Sequence, residues 1–156
     1  MKPSPSVKGS DTLLLTACST AMITLVPVAL YQAGAIRHLA DPPSPIFNSE
    51  RITRSKAAHP LGIPDAFLGL ASFATTLTLI LFARRHRVAK ELLGAKLTLD
   101  ASAAAFNAGR QVVGFKQLCS WCTGTAIAAG VMAYAGRDTV RHTWADARAI
   151  LKDPKV

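Results

Sequence analysis

Residues 117–135 read Gln117-Leu118-Cys119-Ser120-Trp121-Cys122-Thr123-Gly124-Thr125-Ala126-Ile127-Ala128-Ala129-Gly130-Val131-Met132-Ala133-Tyr134-Ala135. The run carries no charge and is rich in small and apolar side chains, which predicts a helix suited to a bilayer. Cys119 and Cys122 open it. Two cysteines three apart in a first helical turn share one face. They can close a disulfide with little backbone movement. The unpaired N–H groups and positive dipole end of a helix start favour thiolate over thiol, and such a thiolate is a good leaving group in disulfide exchange. The stretch therefore reads as a redox pair at a membrane surface. An idle pair and half of a zinc site are the alternatives. Zinc needs two further ligands, and His38 and His59 lack a paired spacing to supply them.

Working outward, three more hydrophobic segments precede this one. Thr12 to Gly34 is charge-free and long enough to cross a bilayer core, with Pro27 inside it as an expected kink. Ile63 to Ala83 opens with Pro64 in a favourable first-turn position and carries Asp65 at its entrance. It stops at the basic cluster Arg84-Arg85-His86-Arg87. Glu91 to Gly114 is the weak span, because it holds Lys96, Asp100, Asn107 and Arg110. Lys96 and Asp100 are four apart and can pair on one helix face, and the run from Ala101 to Ala105 supplies small side chains for close packing.

The expected architecture is an all-α integral membrane four-helix bundle over residues 1–136, with an outer loop at 35–62 and a polar cytoplasmic tail at 137–156. The prolines at 42, 43 and 45 exclude a regular helix early in that loop. Ile46-Phe47 and Ile52 to Ala58 are candidates for a short interfacial helix, and Trp144 for an interfacial contact. No cleavable signal peptide is expected, since the start is polar and proline-rich and no small-x-small site follows the first apolar stretch.

The chain has 156 residues, half of them hydrophobic, with 18 Lys and Arg against 9 Asp and Glu. Cationic loops flanking apolar spans explain that combination. Nucleic acid is not an expected partner, because no basic face, zinc-finger pattern or aromatic RNA-binding strand is present. With both termini cytoplasmic, eleven basic residues fall inside and six outside. That bias puts the loop and the Cys119–Cys122 motif together on the outer side of the inner (cytoplasmic) membrane. The remaining cysteine, Cys18, lies mid-span and reads as a small packing residue.

Two stretches together resemble the vitamin K epoxide reductase family, bacterial type. One is Leu118-Cys119-Ser120-Trp121-Cys122. The other runs from Ser55 to Gly69, where Ser55 precedes Gly62-Ile63-Pro64-Asp65-Ala66-Phe67-Leu68-Gly69. Order, spacing and a four-span layout agree over about residues 12–136. The resemblance implies a bundle that holds a quinone (ubiquinone or menaquinone) near the outer surface. Cys122 would face the quinone and Cys119 would exchange with a thiol partner, a thioredoxin-like periplasmic or other extracytoplasmic dithiol protein. The implied reaction is dithiol plus quinone giving disulfide plus quinol.

The departures bear on function. Family members usually carry a second cysteine pair in the outer loop as an electron relay, yet residues 35–62 contain no cysteine, and Ser44 falls about where one is expected. Either Cys119 meets its partner directly, or catalysis has been lost. Asp65 falls about where animal members have a quinone-binding asparagine. A protonated carboxyl there could donate a hydrogen bond, whereas a plain structural role at the helix dipole is equally open. Ala126 stands where animal members have a tyrosine. Ser55 either hydrogen-bonds beside the pocket or caps a short helix. Trp121 either walls the site or lies at the interface. Phe47, Phe67 and Phe73 either line the pocket or simply pack. Two functions follow: a quinone-linked thiol oxidoreductase acting through Cys119 and Cys122, or a non-catalytic quinone-binding or structural subunit of a larger membrane complex, with Asp100, Asn107 and Arg110 facing a neighbour. No metal site is expected.

Overall fold

The computed structural model describes residues 5–152. Six α-helices account for most of them: α1 Pro5–Gln32, α2 Ser49–Thr53, α3 Asp65–Ala83, α4 Arg87–Arg110, α5 Ser120–Ala135 and α6 Arg137–Lys152. Short 3₁₀ turns cover Lys56–Ala58 and Pro60–Gly62, and a π-turn covers Gln111–Phe115. Among the described residues β-pairing is confined to one parallel bridge between Phe47 and Leu118.

The pattern of small and apolar residues explains the packing. On α1 the buried positions Leu14, Cys18, Ala21, Leu25 and Val28 recur at alternating steps of four and three, which keeps one stripe of the helix turned inward. That stripe meets α3 and α5. Helix α4 closes the ring by packing on α3 and α5. The core draws Phe73 and Ile80 from α3, Leu93 and Leu97 from α4, and Ala128, Ala129 and Met132 from α5. Small residues allow close approach: a Cβ on Gly124 would lie 3.2 Å from Thr24 Cγ2. Thr24 and Thr125 hydroxyls also meet at 2.9 Å between α1 and α5. Cys18 is fully buried and its thiol donates to the Phe73 carbonyl at 3.4 Å, a packing residue with one weak bond.

Apolar side chains also cover the outside. Ile23, Leu81, Phe106, Val113 and Ile127 are all exposed, which water would not favour on such a scale. Among the described residues, two helices are long and apolar enough to cross a membrane, over Gly9–Gln32 and Asp65–Ala83. Helix α4 is long but more polar. At 16 residues, α5 spans only about 24 Å.

The stretch from Arg137, read from sequence as a polar tail with Trp144 at an interface, is helical through Lys152 and lies against α4. The contact depends on Gly94, where a Cβ would sit 2.2 Å from Thr143 Oγ1 and 2.9 Å from the Thr139 carbonyl. Thr143 Oγ1 donates to the Glu91 carbonyl, and Trp144 Nε1 donates to Thr98 Oγ1, both at 3.1 Å. Residues 153–156 of that segment lie outside the described residues.

Candidate functional site

Cys119 is the N-cap of α5 and is joined to Cys122 by a disulfide. Its sulfur accepts from the Cys122 N–H at 3.1 Å, and its own N–H donates to Gln111 Oε1 at 2.9 Å. The two sulfurs face different surroundings. Cys119 has no exposed surface. Cys122 lines a cavity of about 140 Å³.

The loop covers Cys119 through a polar clasp. Asp41 accepts three hydrogen bonds: from Ser49 N at 2.7 Å, Ser49 Oγ at 2.5 Å and Ser120 Oγ at 2.6 Å. Ser120 N donates to Ser49 Oγ at 3.1 Å. Burial alone would push the Asp41 carboxyl up, but the bonds from Ser120 and Ser49 together outweigh it and hold it below the usual carboxylate value. Around the clasp, Asn48 N donates to the Leu118 carbonyl at 2.9 Å, and Leu118 N donates to the Ile46 carbonyl at 2.7 Å. Trp121 Nε1 donates to the Ala40 carbonyl at 2.9 Å. Ser49, not Ser44, is the loop serine against the Cys-x-x-Cys segment; the Ser44 hydroxyl only accepts from Ile46 N within its own turn.

The cavity runs between the loop and the interior of the helices. Near the loop its walls include Ile52, Thr53, Ser55, Asp65, Gln111 and Cys122, and farther in they include Phe73, Ser72 and Asp100. Of the residues expected to react with or border the quinone, Ser55, Asp65 and Cys122 line it. Ser55 Oγ donates to the Ile52 carbonyl at 2.7 Å and makes no helix cap. Asp65 accepts from Gln32 Nε2 at 2.9 Å, while Gln32 Oε1 accepts from Ala66 N at 3.2 Å. Phe67 does not line the cavity: one step past Ala66 on α3, it points outward and is half-exposed. Trp121 packs beneath the loop and not on the cavity wall. Among the other phenylalanines Phe73 is on the wall and Phe47 belongs to the bridge with Leu118.

Asp100, Asn107 and Arg110, which the non-catalytic alternative would turn toward another protein, line the cavity. The predicted Lys96–Asp100 pair forms, and Asp100 also accepts from Ser72 Oγ at 3.0 Å and Thr76 Oγ1 at 2.6 Å. Two buried side-chain atoms lack a partner among the described residues, and one of them, Arg110 Nε, belongs to a cavity residue. An apolar waist, polar groups at both ends and a spare donor suit a largely apolar ligand that carries oxygen atoms. Among the described residues no cluster of His, Cys, Asp or Glu could hold a metal.

The sequence profile of the vitamin K epoxide reductase family matches residues 12–135. The chain belongs to that family. No curated protein matches the sequence. For a vitamin K epoxide reductase family protein the setting is a membrane and the chemistry is quinone-related oxidation and reduction. The matched segment contains the helices around the cavity, the loop and the disulfide; α6 lies beyond it.

Asp41, Ser49, Gln111 and Arg110 are among the cavity and clasp residues that the sequence motifs did not assign to the site. Asp41 stands beside a proline run and Gln111 ends a helix, so neither belongs to a recognisable motif.

Proposed function

We propose that the protein oxidises an extracytoplasmic, thioredoxin-like dithiol protein through Cys119 and Cys122 and passes the electrons to a quinone, ubiquinone or menaquinone, in the cavity. The observation that carries this reading is the split placement of one disulfide: Cys122 on the cavity wall and Cys119 under the outer loop. A partner thiolate attacks Cys119 Sγ, the Cys119–Cys122 bond breaks, and Cys122 leaves as a thiolate. The partner's second thiol then attacks the mixed disulfide and leaves oxidised. The resulting protein dithiol gives two electrons and two protons to the quinone, and the Cys119–Cys122 bond re-forms. Asp65 and Ser55 would border the quinone. Because Cys119 is sealed by the clasp, the partner has to displace the loop before exchange.

The same reading sets the chain in the inner membrane as a four-span bundle of α1, α3, α4 and α5 with both termini cytoplasmic. It is supported by the apolar exterior and by the basic residues after α3. The cytoplasmic side would then carry α6.

The test is purified protein with a reduced thioredoxin-like protein and ubiquinone-1. Quinol should form, and Cys122→Ala should abolish it. Absence of turnover in the wild type counts against the reading. One observation favours a second reading, a non-catalytic subunit: Cys119 has no accessible surface and the loop has no cysteine to reach it. Thiol trapping in membranes separates the two. A redox-inert pair that copurifies with a stable partner would select the second.

A further inference from the structure

Arg110 ends α4, just before the chain departs from α-helical geometry in the π-turn Gln111–Phe115. Such turns re-aim side chains and often occur at functional sites. Here two consecutive residues serve one region: Gln111 Oε1 holds the Cys119 N–H, and Arg110 lines the cavity that Cys122 also lines. Arg110 makes little use of its donors. Nη2 donates to Asn107 Oδ1 at 3.1 Å, and the guanidinium lies over the Phe106 ring with 5.8 Å to its centroid. Arg110 forms no ion pair among the described residues. Its Nε is buried with no acceptor. Asp65, also on the wall, is within electrostatic range but not within ion-pair distance. Arg110 as a residue is half-buried, but its Nε–H is shut off from solvent without an acceptor, and leaving such a donor unpaired is costly; on a residue that lines the cavity this points to an acceptor that arrives with the ligand.

We propose that Arg110 is a catalytic residue, whose Nε–H donates to a carbonyl oxygen of the quinone and offsets the negative charge that develops there as the dithiol is oxidised. The inference rests on the quinone reading above. The balance is simple. Cys119 and Cys122 lose two S–H bonds, two electrons and two protons and gain one S–S bond; the quinone takes up both electrons and both protons. Arg110 takes no part in the proton transfer and contributes only its hydrogen bond and charge. Donors of this kind act most strongly where charge appears during reaction in a water-poor site.

The experiment uses the full chain in detergent, pre-reduced and mixed with ubiquinone-1, with Arg110→Met and Arg110→Lys beside the wild type. Three quantities are followed: quinol formation, equilibrium binding of ubiquinone-1 to the disulfide form, and reduction of the disulfide by dithiothreitol. Arg110→Met should form quinol about 100-fold more slowly, as when one charge-stabilising donor is removed. Its reduction by dithiothreitol should match the wild type. Arg110→Lys should recover part of the rate, because it restores the charge but not the fixed N–H geometry. Quinol formation at the wild-type rate in Arg110→Met overturns the proposal. So does equal slowing of both half-reactions, which marks a structural role, or a loss confined to quinone binding. A wild type that neither binds nor reduces ubiquinone-1 removes the quinone reading itself and this proposal with it.

Discussion

Two polar clusters differ in place, one tying the loop to the start of α5 and the other on the inner wall of the cavity, and each is centred on a carboxylate held in a different way. At the disulfide end, Asp41 is half-buried and is satisfied by neutral donors from Ser49 and Ser120. Among the helices, Asp100 is almost fully buried and is matched by the ammonium of Lys96 as well as by Ser72 and Thr76. The difference follows from access to water. A carboxylate near solvent keeps part of its hydration and needs only hydrogen bonds, whereas one among packed helices needs an opposite charge beside it. The first arrangement can open and close; the second is built to stay.

The sharpest way to break this comparison is to remove one charge from the deep cluster. Lys96→Met leaves Asp100 buried and uncompensated and should destabilise the protein by about 3–5 kcal/mol. Replacing both, Lys96→Met with Asp100→Leu, should recover most of that loss, read as thermal unfolding in detergent. Equal losses in the single and double variants would mean that the deep pair is not held by its charges.

The clasp should respond more mildly and more locally. Asp41→Ala deprives three donors of their acceptor near water, a cost of about 1–3 kcal/mol. The loop should then open more often, and the reduced Cys119 should react roughly tenfold faster with a water-soluble maleimide, a factor equivalent to 1.4 kcal/mol. Unchanged protection of Cys119 would show that the Phe47–Leu118 bridge holds the loop without Asp41.

Acid should reproduce that opening without mutation. The Asp41 carboxyl is held below its usual value in the folded protein. Its contribution is therefore complete above the unfolded-state value of about 3.9 and is lost as pH falls through the folded value. Protection of Cys119 should be flat from about pH 7 to pH 5 and decline below about pH 4. Asp41→Asn should lack that step.

The floor is set by a pair with full access to water. Arg87 Nε lies 2.9 Å from Glu91 Oε1, both side chains being well exposed. Arg87→Ala should cost only about 0.3–0.5 kcal/mol and less in high salt. A larger effect would trace to the longer contact of Arg87 with Asp146 on α6, at 3.9 Å.

Much of the architecture was legible in the residues. The apolar runs located α3 to within two residues, because hydrophobic length is a local property, whereas α1 starts at Pro5, seven residues before the apolar run expected from Thr12. The Lys96–Asp100 pair was legible because a spacing of four fixes a shared helix face. Helix α6 was missed although its apolar positions follow helical periodicity, and only its seat against Gly94 depended on the tertiary structure. Nor was the outward turn of Phe67 legible: its neighbours Ala66 and Gly69 face in, and one residue of helical rotation decides which side chain meets the cavity. Asp41 and Ser49 escaped notice because their bonds join the loop to Ser120, far along the chain.

By itself the sequence determined that these residues form apolar helices and that Cys119 and Cys122 share the first turn of one of them. Both properties depend on neighbours within a few positions. Only the tertiary structure decided that Cys119 is sealed, that Cys122 borders the cavity and that Arg110 arrives there with a donor to spare. Those outcomes depend on which distant segments fill the space around each side chain, and helical periodicity carries no information about that.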